Sequence, residues 1–325
     1  MAGHMSHAFR SVAISLVLTV ALAAVGACSG SATTPTPSTP SAAPAGSAVP
    51  SAAPSTGVTS PSSAPASLAA ISLPAAITQA GYINVATYPG HPPNNFLAPD
   101  GTTVIGVDAS IRDVLAKELG VQFQIQKYSS FAGLIPALLS SRVDMIMSGM
   151  TDTKVREQQV NFVDYLDVGS SILTQAGNPE HITGSDSLCG LEIAATAGTT
   201  AIAEMQSQST QCTTAGKKAV NVVQFPSNTE AVLQVTDGRA AATITDFPVA
   251  TYEAQHSGGK LQVAGQPFNV SPYGIAVRKD ETQLQNALQA AVQQAINDGS
   301  LKAALQQWQV SSAVPATCTI NGATH

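Results

Sequence analysis

A chain of 325 residues that is 44% hydrophobic is long enough to build one or two domains around a real core. Its 14 basic and 20 acidic residues give a net charge of −6 with no basic cluster, which argues against a nucleic-acid partner. The six histidines are scattered, and Gly-x-Ser-x-Gly, Gly-x-x-x-x-Gly-Lys and His-Glu-x-x-His are all missing, so no metal, cofactor or catalytic motif is expected.

In chain order, the first feature is the apolar run 11–27, which follows Arg10 and ends in Val25-Gly26-Ala27-Cys28. Residues 1–27 read as a secretory signal peptide, too short and too rich in small residues near its end for a membrane span. Val-Gly-Ala-Cys resembles the lipobox of bacterial lipoproteins, which implies cleavage before Cys28 and acylation of its sulfur; the plainer alternative is an unlipidated signal peptide. Several acyl chains hold a protein firmly at a membrane where one does not. The expected location is therefore extracytoplasmic, anchored to the outer face of the bacterial cell membrane. Residues 28–68 are almost wholly Ser, Thr, Pro, Ala and Gly, and no charged residue occurs between Arg10 and Asp100. Such a segment buries too little apolar surface to fold and reads as a disordered tether. With a polyproline-like rise it reaches on the order of 100 Å.

From here strands and helices alternate. The pattern predicts a strand over Tyr82 to Thr87, a helix capped by Asp108 and running to Glu118, and a strand over Val121 to Gln126. A helix over Phe131 to Ser140 and a strand over Val143 to Met147 follow. The rhythm restarts after residue 175 with strands at Leu191 to Ala195, Val220 to Phe225 and Ala241 to Ile244, each followed by a helix, those helices starting at Thr199, Thr229 and Phe247. A βαβ rhythm implies an α/β fold with mostly parallel sheets covered on both faces. Gly169 to Thr174 and Tyr273 to Val277 read as the two strands that leave and re-enter the first unit, before helices at 281–297 and 299–309. The expected division is lobe 1 from 69–170 plus 274–312, lobe 2 from 171–273, and a short polar tail at 313–325. Export places the cysteines where disulfides persist, and Cys189 and Cys212, bracketing a strand and a helix, are expected to pair. Cys318 is expected to be free, with pairing to one of the others left open.

One stretch stands out for chemistry, Ser148-Gly149-Met150-Thr151-Asp152-Thr153-Lys154-Val155-Arg156. A buried strand breaks at Ser-Gly into a polar turn that starts a helix, with Asp152 or Thr153 as N-cap. Such a turn converges N–H groups and hydroxyls, and Arg156 adds a planar donor fork, which together suit a carboxylate. The plainer alternative is a capped helix with Arg156 solvated or paired to Glu157. Open α/β sheets bind ligands at the carboxyl ends of their strands, which points to the turns after Met147, Ala195 and Ile244.

The ordered set Phe131-Ala132-Gly133-Leu134-Ile135-Pro136-Ala137-Leu138, Ser148 to Arg156, Phe162-Val163-Asp164-Tyr165, Gly198-Thr199-Thr200, Thr245-Asp246 and Pro272-Tyr273-Gly274-Ile275-Ala276-Val277 resembles the bacterial extracellular solute-binding proteins of family 3. That resemblance covers residues 80–312 and implies a two-lobed periplasmic-binding-protein type II fold, with two doubly wound sheets joined by a two-strand hinge. It implies a monomer that closes on a polar amino acid and passes it to the permease and ATPase of an ABC importer.

Residue by residue, the resemblance places Arg156 and Thr151 on the ligand carboxylate, with Thr200 on the same group from the second lobe. Ser148 and Gly149 fall where polar atoms or a carbonyl meet the ligand amino group, and Asp246 where a carboxylate accepts its ammonium. For Thr199, Thr200 and Asp246 simple helix capping is the plainer role, and for Phe131 core packing under Leu134 and Leu138. Phe131, Tyr88 and His91 are expected to line the side-chain pocket. The loop Tyr88-Pro89-Gly90-His91-Pro92-Pro93-Asn94-Asn95-Phe96 departs from the family by lacking an acidic residue, which disfavours a cationic side chain. Two rivals are a cyclohexadienyl-dehydratase-like enzyme on the same fold, using His91, Asp246 or Glu204, and a ligand-sensing module.

Overall fold

The computed structural model describes residues 71–325, so the signal peptide, Cys28 and the tether lie outside the described residues. The folded chain opens with helix α1 (Ala75–Ala80) and strand β1 (Tyr82–Thr87), then the three short strands β2 (Gly90–His91), β3 (Asn95–Leu97) and β4 (Val104–Ile105), which form a small sheet of their own. Helix α2 (Val107–Leu119) and strand β5 (Gln122–Lys127) follow, then a single tight turn at Phe131–Gly133 leading into α3 (Leu134–Leu139), and β6 (Met145–Ile146). The expected helix 131–140 is thus split in two, and the expected strand 143–147 pairs over two residues only. After the one-turn helix α4 (Lys154–Glu157) comes the long strand β7 (Asn161–Gln175).

The second half runs β8 (Glu192–Thr196), α5 (Thr200–Thr214), β9 (Asn221–Phe225), α6 (Asn228–Thr236), β10 (Ala242–Asp246) and α7 (Phe247–His256). Strand β11 (Leu261–Val277) returns the chain to α8 (Thr282–Asn297) and α9 (Ser300–Leu305), the last ending in a short turn at Gln306–Trp308.

The large sheet has the order β5-β1-β6-β11-β7-β10-β8-β9. β1 pairs in parallel with β5 and β6, and β8 with β9 and β10, whereas the central β7 and β11 run antiparallel to each other along most of their lengths. The two sheets expected from the sequence are therefore one continuous ladder, because the hinge strands are far longer than 169–174 and 273–277. Polar residues inside them, such as Asp164, Asp167, Ser170 and Ser171, hid their extent. Alternation sorts side chains to the two faces: Ile83 and Val85 of β1 join one core cluster and Ala86 another. In β8, Ile193 and Ala195 face one cluster and Ala194 the other, so both faces are covered as a parallel sheet requires.

One local expectation changes. Asp108 does not cap α2; Gly106 holds that position at φ 128°, where an added Cβ would sit 2.4 Å from the Pro93 carbonyl oxygen. The short polar tail is pinned to the body of the fold. Ile320 bridges Val163, the Asn321 Oδ1 accepts the Phe162 N–H at 2.8 Å, and the Ala323 N–H donates to Asp152 Oδ2 at 3.1 Å.

Cys189 and Cys212 are bonded, with Cα atoms 5.5 Å apart, while Cys318 is free and buried. The bridge ties the approach to β8 to the C-terminal turn of α5, and in the chain-entropy account such a loop contributes about 3 kcal/mol. Cys189→Ala with Cys212→Ala is expected to lower the unfolding free energy by about that amount in a urea titration, without moving the ligand affinity.

Candidate functional site

The carboxyl ends of β1, β6, β8 and β10 meet around one cavity. After β6, the Ser148 Oγ accepts the Tyr88 N–H at 2.9 Å, and the Gly149 N–H donates to the buried Asp108 carboxylate at 2.7 Å. Gly149 sits at φ 55° with Asn94 so close that a Cβ would lie 2.8 Å from its Nδ2, which is why glycine occupies the turn. The next residues are stitched to β11: the Asp152 N–H donates to the Pro272 carbonyl at 2.8 Å and the Gly274 N–H to the Met150 carbonyl at 2.9 Å. Thr153, not Asp152, is the N-cap of α4, accepting the Arg156 N–H at 3.2 Å.

That cap fixes Arg156, which is 9% exposed. Its Nη1 donates to the Thr151 carbonyl at 2.6 Å, its Nη2 crosses to the Gly198 carbonyl on the second half at 2.9 Å, and the guanidinium lies 5.7 Å from the Phe131 ring centre. Burial lowers its pKa to about 10, which leaves it charged at neutral pH. Gly198 stands at φ 82°, and a Cβ there would lie 2.8 Å from that of Ala132, so the two halves touch here.

Opposite stands Asp246, the last residue of β10. It holds the N-cap position of α7 without making a capping bond; its Oδ2 accepts the Tyr273 hydroxyl, which in turn accepts Asn94 Nδ2 at 3.0 Å. Burial pushes its carboxyl up to about 6, against the pull of Tyr273 and Arg156. The cavity between these groups measures about 10 Å³. Its walls are Arg156, Asp246, Thr151, Gly149 and the pair Thr199 and Thr200, with His91 and Phe131 closing it. Thr199 sits at the N-cap position of α5, yet its hydroxyl donates back to the Thr196 carbonyl at 2.7 Å.

Ser148 and Tyr88 lie one layer behind: the Ser148 hydroxyl is engaged by Tyr88, and the Tyr88 ring packs edge-on to His91, 5.1 Å between centres. Phe131 does both of the things expected of it, lining the cavity and packing with Leu134 and Leu138. His91 is buried, which lowers its pKa to about 4 and makes it a neutral wall. Glu204 is absent from the cavity wall; it accepts the Ser170 hydroxyl at 2.8 Å behind Asp246, and burial raises its carboxyl to about 7. Three residues beneath the site were not singled out from the sequence. Asp108 takes the Tyr165 hydroxyl at 2.7 Å as well as the Gly149 N–H, while Tyr273 and Asn94 orient Asp246.

A roomier groove of about 300 Å³ lies elsewhere, between α7 and the turn after α9, walled by Phe247, Tyr252 and Trp308. It brings together no opposed charges, so the small polar cavity is the better candidate.

The raised carboxyls give a stability signature. Asp152 and Glu204, each near 7, and Asp246, near 6, take up protons in the native state at pH values where an unfolded chain does not. Native protein then binds more protons than unfolded, and stability falls as pH rises through these values. His91 opposes this as pH falls through its ordinary value of 6.5, where the unfolded chain gains a proton first, and one imidazole half protonated at pH 6.5 offsets only part of the effect of the carboxyls. Ligand-free protein is therefore expected to melt at a higher temperature at pH 6.5 than at pH 8 by calorimetry.

The comparisons agree with this architecture. Among curated proteins, the arginine-binding protein ArgT of Corynebacterium glutamicum is 28% identical over 250 residues, covering 77% of this chain and 81% of its own. The ABC transporter glutamine-binding protein GlnH of Bacillus subtilis is 27% identical over 217 residues, covering 65% of this chain and 74% of its own. Among solved structures, an ancestral amino acid-binding protein, a precursor of cyclohexadienyl dehydratase, is 30% identical with a TM-score of 0.64, covering 72% of this chain and 97% of its own. Residues 83–311 match the profile of the bacterial extracellular solute-binding proteins, family 3, and the chain belongs to that family.

Proposed function

We propose that the protein captures a zwitterionic amino acid, or a close relative of one, between two lobes and delivers it as a monomer to an ABC importer. The observation that carries this reading is the pairing across one cavity of the Arg156 guanidinium with the Asp246 carboxylate, each from its own half of the sheet. Arg156, Thr151 and Thr200 would hold the ligand carboxylate, and Asp246 the ammonium, with Gly149 offering backbone and Ser148 supporting the turn. Phe131 and His91, backed by Tyr88, would meet the side chain. Their neutrality favours an uncharged side chain over a cationic one.

A cavity of about 10 Å³ holds about one water, so admission requires the halves to part, exchanging the Arg156–Gly198 bond for bonds to the ligand. The lobes would divide at the two long strands, with 69–170 and 274–312 on one side and 171–273 on the other. Ligand then favours the closed form because only that form makes both charged contacts. We further propose export as a lipoprotein, with Cys28 acylated and 28–68 serving as tether to the membrane, and binding rather than catalysis, because Asp246 is engaged by Tyr273, burial makes His91 a weak base, and Glu204 is not on the cavity wall.

The test is a thermal-shift screen of the common L-amino acids, followed by calorimetry on those that stabilise, since a binder raises native stability by mass action. Closure has a built-in reporter. Trp308, the single tryptophan, packs edge-on to Phe96, which packs 5.9 Å from Tyr252 on the other half. A binding ligand is expected to change Trp308 emission as that contact shifts. A chain that is stabilised by none of these amino acids overturns the reading.

A further inference from the structure

The geometry points to Tyr273 as the positioning residue that sets Asp246 to receive a ligand ammonium, coupling the hinge strand to that pole of the site. The inference rests on the ligand reading above. Tyr273 is fully buried in β11, and its backbone bridges Thr151 on the arginine-bearing turn. Its hydroxyl reaches across to the second half and donates to Asp246 Oδ2, while Asn94 Nδ2 donates to the same hydroxyl at 3.0 Å.

A phenol has one proton to give, and the Asn94 donor occupies one of its oxygen lone pairs, so the proton is directed at Asp246. That fills one lone pair of Oδ2 and fixes the carboxylate's orientation, with Oδ1 left wholly open to accept a ligand N–H. A hydrogen bond to a carboxylate also favours its ionised form, the only form that attracts an ammonium. The groups facing Asp246 are Tyr273 from β11, Arg156 from α4 and Glu204 from α5. Tyr273 and Arg156 hold the carboxyl down against burial, and the Asp246 charge in turn helps to keep Glu204 protonated. Removing the phenol hydroxyl therefore lets Asp246 protonate at a higher pH, and ligand affinity should fail first on the acid side.

The experiment measures the dissociation constant of L-glutamine, or of whichever common L-amino acid binds the wild type, from pH 5 to pH 9 for the wild type, Tyr273→Phe and Asn94→Ala. The expected result for Tyr273→Phe is an acid limb moved to higher pH, with affinity about tenfold weaker at pH 6 and recovering by pH 8. Asn94→Ala, which only loosens the phenol, should move the limb the same way by less, and it serves if Tyr273→Phe does not fold. A uniform loss across the pH range, or no change, overturns the inference and leaves Tyr273 as core packing. Failure of the wild type to bind any common L-amino acid overturns the inference together with the ligand reading, whereas tight wild-type binding with an unmoved limb overturns the inference alone.

Discussion

Arg156→Ala is expected to weaken amino-acid binding by two orders of magnitude or more while leaving the fold intact. Losing one partner of a buried charged contact costs roughly 2 to 5 kcal/mol, against about 8 kcal/mol for micromolar binding, so little measurable affinity would remain. Two terms add. The ligand carboxylate loses a forked donor, and the Thr151 carbonyl loses the 2.6 Å hydrogen bond that holds its turn; the Gly198 bond, given up when ligand enters, adds nothing. Arg156→Lys keeps the charge but not the fork, and is expected to recover only part of the loss. Calorimetry with an amino acid that binds the wild type, beside a far-UV spectrum of each variant, measures both; equal affinity for Arg156→Ala and the wild type would remove Arg156 from the site.

How much of this was legible in the sequence depends on how local the cause is. The outer strands were, because Ile83 and Val85 or Ile193 to Ala195 are short apolar runs set off by turn residues, and a buried parallel strand leaves that trace. Arg156 was legible because the turn, cap and fork lie within nine consecutive residues, although the cap itself stayed open between Asp152 and Thr153. Asp246 could be placed as a strand end, but not told from a helix cap, since both uses put a carboxylate just before Phe247-Pro248. Asp108 was misread for the same reason: an acidic residue at a helix start looks like a cap, and its partners Gly149 and Tyr165 lie 41 and 57 residues away. Tyr273 and Asn94 are 179 residues apart, and nothing local marks their contact. The tail hid differently. Thr319 to Ala323 are mostly small or polar and form no strand beyond the single bridge at Ile320, yet the Asp164 N–H donates to the Thr319 carbonyl at 3.0 Å and the Gly322 N–H to the Asp164 carboxylate at 3.0 Å.

Asp108 supports the second large prediction, this one on stability. Its carboxylate is fully buried and takes hydrogen bonds from Asn95 Nδ2, the Gly149 N–H and the Tyr165 hydroxyl, with Arg112 as the compensating charge. Arg112 is itself 4% exposed and donates to Asn95 Oδ1 at 3.3 Å, so each buried charge depends on the other. Burial raises the Asp108 carboxyl and lowers the Arg112 guanidinium, and the hydrogen bonds together with the opposite charge offset part of that cost. Asp108→Ala leaves an uncompensated guanidinium and three buried donors without that acceptor, for which a loss of about 3 to 5 kcal/mol is expected in urea unfolding. Asp108→Asn keeps the shape but points an amide at groups that are themselves donors, so it should recover only part of that. Asp108→Ala with Arg112→Met removes both charges and should be less destabilising than Asp108→Ala alone, because a buried pair replaced together avoids the stranded ion. What the double variant cannot restore is the grip on the Gly149 N–H. Its ligand affinity should therefore stay below that of the wild type even where its stability recovers, and full recovery of both would show that the carboxylate serves packing alone.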